Sequence, residues 1–259
     1  MKKVVVCYKW LLDTADLRAD GSGKLDLERA KWTLNEYDRN GIEAGVWLKN
    51  ATGCELIGVT CGPRVQASCK DALSRGLDSV TYVEHEGLHQ ADSGATAKIL
   101  SRIVRHLGEV DVVICSEGSS DEYAQQTGGR LAALLGYASV SYVSALDLKG
   151  SDLVLDRKLE DGVEKVQVPC PVVLSVSPDV NEVPIPSVKQ ILGAKKKPSS
   201  AASLDAIGLC DADCLPVLRT KSVQVPKVDR KLVRLNPEGT PLKEAAAELV
   251  KRLAADCLL

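Results

Sequence analysis

The most chemically suggestive stretch of the 259-residue chain is Ser116-Glu117-Gly118-Ser119-Ser120-Asp121-Glu122-Tyr123-Ala124-Gln125-Gln126-Thr127-Gly128, small and polar and leading into an amphipathic run. Free backbone N–H groups at a helix start can hold a phosphate, and the hydroxyls of Ser119, Ser120 or Thr127 would add donors. Helix capping accounts for the same residues without a ligand. Ser119 and Glu122 have the spacing of a capping box, and most helices need a cap whereas few bind phosphate. Two further loops have usable residues. In Cys61-Gly62-Pro63 the glycine permits close backbone approach and the proline suits a first helical position, although a tight turn explains both. In Leu34-Asn35-Glu36-Tyr37-Asp38 an amide, a phenol and carboxylates open a helix, where they could meet a base or ribose or simply face solvent. The combination says more than any one loop.

Other chemistry is missing. Neither a Gly-x-Gly-x-x-Gly fingerprint nor a Gly-x-x-x-x-Gly-Lys-Ser/Thr loop occurs, which argues against an ordinary dinucleotide dehydrogenase and a P-loop NTPase. His85 and His89 sit in a polar stretch with Glu84 and Glu86 that reads as a solvated loop, and His106 lies near a helix end, where a cation is favoured. No serine stands in a Gly-x-Ser-x-Gly elbow, and no cysteine has the surroundings of a nucleophile. Cys210 and Cys214 lack the second pair, or the histidine, that a zinc site needs.

The elements that must position these loops alternate. Val4–Tyr8, Glu55–Cys61, Ser79–Val83, Asp111–Ser116 and Val172–Ser177 read as strands; Asn35–Leu48, Arg64–Arg75, Asp92–His106 and Ala124–Leu135 read as helices. Val65, Cys69, Ala72 and Leu73 share a face of the second helix, as do Thr96, Ile99, Leu100, Ile103 and Leu107 of the third. Such alternation predicts a Rossmann-like α/β fold, a parallel sheet flanked by helices, with ligands outside the carboxyl ends of the strands. Leu153–Leu159 and Val163–Val168 flank Glu160-Asp161-Gly162 and predict an antiparallel hairpin insertion. Pro184, Pro186 and Lys195-Lys196-Lys197 mark residues 178–198 as a loop leaving the domain, the lysines being a solvated charge run. The expected division is a nucleotide-binding domain over 1–198 and an extended C-terminal arm over 199–259. That arm, weakly periodic over residues 199–234, ends in an amphipathic helix, Pro241–Leu253, and arm and helix are both expected to pack on a partner surface.

Composition narrows the function classes. A formal charge of -2 and the absence of Phe give neither the field nor the stacking groups that nucleic acid requires. No apolar stretch reaches the roughly 20 residues that span a bilayer, and the run after Met1 is too short for a signal peptide. Nine cysteines, an odd number without regular spacing, fit a reducing cytoplasm.

The loops, read together, resemble the electron-transfer flavoprotein β subunit, and within that family the Fix-type branch. The resemblance rests on Cys7-Tyr8-Lys9, the Tyr37-Asp38-Arg39-Asn40-Gly41-Ile42-Glu43-Ala44 run, and Gly118-Ser119-Ser120-Asp121-Glu122-Tyr123-Ala124-Gln125-Gln126. Arg157, Glu160-Asp161-Gly162, Glu164, Val166 and Pro171 followed by Val173-Leu174 fit the family's hairpin signature, from which Leu155 and Ser175 depart slightly. It implies a nucleotide site made of Cys7, Lys9, Asn35, Tyr37, Asp38, Cys61, Ser116, Ser119, Ser120, Asp121, Ala124, Gln125, Gln126 and Thr127. In ordinary members that site holds AMP while an α subunit carries FAD; in electron-bifurcating members it holds a second FAD. The family's docking stretch for partner dehydrogenases or other oxidoreductases is replaced here by Val180-Asn181-Glu182-Val183-Pro184-Ile185. The expected role is electron transfer with an α-subunit partner, not catalysis alone. The alternative is a stand-alone adenine-nucleotide-binding regulatory protein.

Overall fold

The computed structural model describes residues 1–20, 25–218, 220–223, 232–235 and 241–258. In chain order the elements are β1 (Lys3–Cys7), β2 (Trp10–Leu12), β3 (Arg18–Ala19), β4 (Leu25–Asp26), β5 (Trp32–Leu34), α1 (Glu36–Thr52), β6 (Glu55–Gly62), α2 (Cys69–Ser74), β7 (Ser79–Glu84) and α3 (Ser93–His106). There follow β8 (Val112–Ser116), α4 (Thr127–Leu135), β9 (Ala138–Lys149), β10 (Asp152–Lys158), β11 (Val163–Val168), β12 (Val172–Val176), α5 (Val188–Ala194), β13 (Ser199–Ala201) and α6 (Leu242–Ala255). The chain divides into two compact units, Met1–Val223 and Gln224–Leu259. The second contains α6, in which Arg252 pairs with Glu248 one turn earlier at 2.7 Å.

The first unit is built on a nine-stranded sheet of order β11-β10-β9-β12-β8-β1-β6-β7-β13. Pairing is parallel from β9 through to β13 and antiparallel only where β10 joins β9 and β11. Strict alternation along β1 separates two apolar layers. Val4, Val6 and Tyr8 pack with Ile42, Leu48, Leu56 and Leu73 on one face. Val5 and Cys7 pack with Ile57, Val59, Ile99, Ile103 and Leu131 on the other. Both faces are therefore dry, as continuous Val/Ile strands require. After β1 the chain builds outward through β6 and β7, then crosses back to place β8 on the opposite flank of β1. The strand order reverses between β1 and β8, and the crevice at such a switch point is where an open α/β sheet receives ligands.

Several elements differ from the reading of the sequence. α4 begins at Thr127, three residues after Ala124, because residues 117–126 are held as a loop. The Arg64–Arg75 helix divides into a 3-10 turn at Val65–Ser68 and α2, and Pro63 lies in the turn before it, outside the first helical position. The expected loop over 178–198 contains α5, opened by a Ser187/Gln190 capping box. Lys197 is not part of a solvated run: its Nζ donates to the Leu73 and Leu77 carbonyls at 3.1 and 2.6 Å, closing the end of α2. The segment after 198 first adds to the domain, since β13 pairs with β7. Further on, Lys98 pairs with Asp213, and the Asp92 carboxylate accepts from the Val217 and Leu218 amides at 2.9 and 3.0 Å.

Candidate functional site

At the switch point, Lys9, two residues past the end of β1, is gripped from both sides by the start of α1. The Lys9 amide donates to Asp38 Oδ2 at 2.7 Å, and the Lys9 carbonyl accepts from the Asn35 amide at 3.0 Å. Asp38 is only 5% exposed. Burial pushes its carboxyl up to about 6, against the opposing pull of the Ser116 hydroxyl, the Lys9 amide, the Asn35 side chain and the Lys9 ammonium. The Ser116 hydroxyl acts on that carboxyl without good hydrogen-bond geometry. Its Oγ is one of the buried polar atoms left without a partner among the described residues.

The loop after β8 is moored to the same two stretches. Asn35, 1% exposed, donates through Nδ2 to the Gly118 carbonyl at 3.1 Å and accepts from the Ser120 amide at 3.2 Å. Asp121 pairs with the Lys9 ammonium at 2.6 Å and accepts from Ser119 Oγ at 2.5 Å and the Glu122 amide at 2.8 Å. Burial alone would raise the Asp121 carboxyl, but Lys9 and these donors hold it below its ordinary value. The rings of Tyr37 and Tyr123 lie 5.4 Å apart, and the Tyr123 hydroxyl donates to Glu117. Tyr123 and Gln125 adopt left-handed backbone, with φ of 46° and 55°. Non-glycine residues seldom do so unless their surroundings hold them there.

The capping-box explanation of this loop fails. The Ser119 hydroxyl is spent on Asp121, and Gln126, the residue that opens α4, makes no side-chain capping bond. Gln126 Oε1 instead accepts from Ser93 Oγ at 3.1 Å and from Arg130 Nε and Nη2 at 3.1 and 2.8 Å. The opening turn of α4 is thus presented to the crevice without a side-chain cap. Gly128 lets this turn sit against the sheet, since a Cβ there would fall 2.2 Å from Ser175 Oγ. Ala124, Gln125 and Gln126 are exposed along the loop and Thr127 is half-buried.

The two thiols expected at the site lie on the paired strands β1 and β6. Cys7 ends β1 beside Cys115, and their contact together with burial pushes its thiol well up. Burial pushes Cys61, near the end of β6, up to about 12, with Cys214 adding to the shift. Both are neutral near pH 7 and are therefore poor nucleophiles and ligands. Among the described residues no His, Cys, Asp or Glu cluster could hold a metal. No described helix is long and apolar enough to cross a membrane.

Val180, Asn181 and Glu182 stand apart from this crevice, just after β12. Val180 closes a 3-10 turn, Asn181 is half-buried against α1, and Glu182 is exposed. The reading of the sequence did not single out Glu117, Asn40 or Arg130. Arg130 one turn after Gln126 was the available signal. Asn40 carried none, because its partner lies 141 residues away.

Fold and site define a doubly wound α/β domain with a polar cluster of loop residues at its switch point. The model of the electron transfer flavoprotein domain family matches residues 23–207, a span that takes in α1, the loop after β8 and the hairpin. The chain belongs to the electron transfer flavoprotein domain family. Members of that family are electron carriers rather than conventional enzymes.

Proposed function

We propose that the chain is the β-type, Fix-like subunit of a two-subunit electron-transfer flavoprotein, and that its crevice binds the adenosine and phosphate portion of an FAD. Convergence carries this reading. Lys9, Asn35, Asp38 and the 116–127 loop come from separate stretches of sequence yet are tied together by the Lys9–Asp121, Lys9–Asp38 and Asn35–Ser120 contacts. The crevice also suits the group. Among the described residues the opening of α4 lacks a side-chain cap and Ser116 Oγ is buried without a hydrogen-bond partner, and the hydroxyls of Ser120 and Thr127 belong to the same loop. Phosphate oxygens are the acceptors such donors lack.

The residues that would hold it are Cys7 and Lys9, Asn35, Tyr37 and Asp38, Cys61, and Ser116, Ser119, Ser120, Asp121 and Ala124 to Thr127. When bound, the flavin supplies the redox chemistry. The chain binds and orients it: Asp38 and Asn35 fix Lys9, Lys9 fixes Asp121, and the loop follows. AMP is the alternative occupant, since it presents the same adenosine and a phosphate. An α subunit carries the other flavin, and a dehydrogenase or other oxidoreductase docks at Val180, Asn181 and Glu182.

The test is to purify the chain with its native partner, denature the complex and count what is released. The expected result is two FAD per heterodimer, one of them lost when Asp121, Gln126 or Thr127 is replaced by alanine. One FAD plus one AMP would overturn the FAD assignment. A colourless homo-oligomer would overturn the subunit assignment.

A further inference from the structure

One turn of α1 serves more than the crevice. Asn40, two residues past Asp38, brings its side-chain nitrogen within 3.1 Å of the Pro178 carbonyl, 3.0 Å of the Asn181 carbonyl and 3.2 Å of Asn181 Oδ1. Asn181 answers by donating its own Nδ2 to the Asn40 carbonyl at 3.0 Å. An amide NH2 carries two protons, so three acceptors around it are a full complement and one proton is shared. The exchange joins residues 141 apart in sequence. The neighbouring residue, Gly41, lies against the crevice: a Cβ there would stand 3.3 Å from Ser116 Oγ. A second tie runs through the sheet, where the Glu117 amide donates to the Val176 carbonyl at 3.0 Å just before the segment begins.

Beyond Asn181 the chain turns outward through Glu182 and Ile185, the latter 93% exposed, and into α5, whose Val188 and Leu192 are also exposed. No described ion pair involves Glu182, and the hydrogen bonds of Asn40 and Asn181 are the side-chain bonds that reach residues 178–186 from α1. We propose that Asn40 is the positioning residue of this docking segment, holding residues 178–186 against the same helical turn that supplies Asp38 to the crevice. The inference rests on the reading of Val180 to Glu182 as a docking stretch. Asn40 acts through its bonds to Pro178 and Asn181. It fixes the segment that a partner meets.

Asn40→Asp is the sharpest variant, because it keeps the shape, removes the donors and sets a carboxylate against three oxygens. Asn181→Ala removes the other side. In the purified heterodimer, amide hydrogen exchange over 179–186 should rise at least about tenfold in both variants, with exchange in β8 and β12 and the nucleotide content unchanged. Unchanged exchange over 179–186, or a rise spread through α1 and β12 with loss of nucleotide, overturns the proposal. Electron transfer to the native redox partner separates the two readings. A raised KM with kcat unchanged supports both. A raised exchange rate with an unaltered KM leaves Asn40 as the positioning residue and removes the docking role of the segment.

Discussion

Asn35 and Ser120, 85 residues apart, meet across the mouth of the crevice, the Ser120 amide donating to Asn35 Oδ1 at 3.2 Å. Since Asn35 Nδ2 simultaneously donates to the Gly118 carbonyl, one almost fully buried amide stands in for a strand of pairing between the start of α1 and the loop after β8.

Asn35→Ala leaves an amide and a carbonyl of the loop without these partners. Stability should fall by about 1–3 kcal/mol, the usual cost of stranding buried polar groups. Nucleotide content of the purified protein should fall with it. Denaturant unfolding and release of the bound nucleotide measure the two effects. A variant of native stability with full nucleotide content would show that the bridge does not order the loop.

Asp38 makes stability depend on pH with an unusual sign. Its folded pKa, about 6, lies above the ordinary carboxylate value, so the folded chain binds more protons than the unfolded one between about pH 4 and pH 6. This contribution is fully present below pH 4 and is lost as pH rises to 6 and beyond. It amounts to about 3 kcal/mol at most. Asp38→Asn retains an acceptor for the Lys9 amide and cannot ionise. The wild type should therefore lose stability relative to the variant as pH rises through that window, measured from urea midpoints at a series of pH values. A difference independent of pH would contradict the burial argument.

Gly128→Ala would bring a methyl to within 2.2 Å of Ser175 Oγ, so either that hydroxyl must turn away within the buried layer or α4 must shift off the end of the sheet. Overpacking of this kind costs about 1–3 kcal/mol and would displace the opening turn from the crevice. Removing the obstructing hydroxyl with Ser175→Ala should restore part of the stability and of the nucleotide content. Thermal unfolding of the single and double variants checks it, and a double variant no better than Gly128→Ala would refute the steric account.

How much of this was legible in the sequence depends on the range of the interactions involved. The alternation of Val4 and Val6 against Val5 gave β1 its two dry faces, and Glu160-Asp161-Gly162 placed the hairpin, because both signals are local. Whether Ala124 to Gln126 join α4 is not local. Lys9 and Asn35 hold the loop through Asp121, Ser120 and Gly118, and that tether keeps it out of the helix. Pro184 and Pro186 concealed α5, although Ser187 and Gln190 had the spacing of its capping box. Lys9, Asn35, Asp38 and the 116–127 loop, singled out from separate stretches of sequence, do come together. Asn40 facing Asn181 had no signal in a single sequence.

The placement of β1 has a consequence for how the protein is made. This strand leaves the ribosome before both of its neighbours and takes β6 along one edge early, yet its other edge waits for β8, with Val4 opposite Val112. Until β8 has been synthesised, that edge of β1 keeps its backbone N–H and C=O groups unpaired in a sheet that cannot yet close. A nascent or truncated chain that stops short of Ser116 therefore exposes an apolar, hydrogen-bond-hungry edge at its centre. It also lacks the loop that Lys9 and Asn35 moor. For this chain, chaperone protection during translation matters most while β1 stands half-paired.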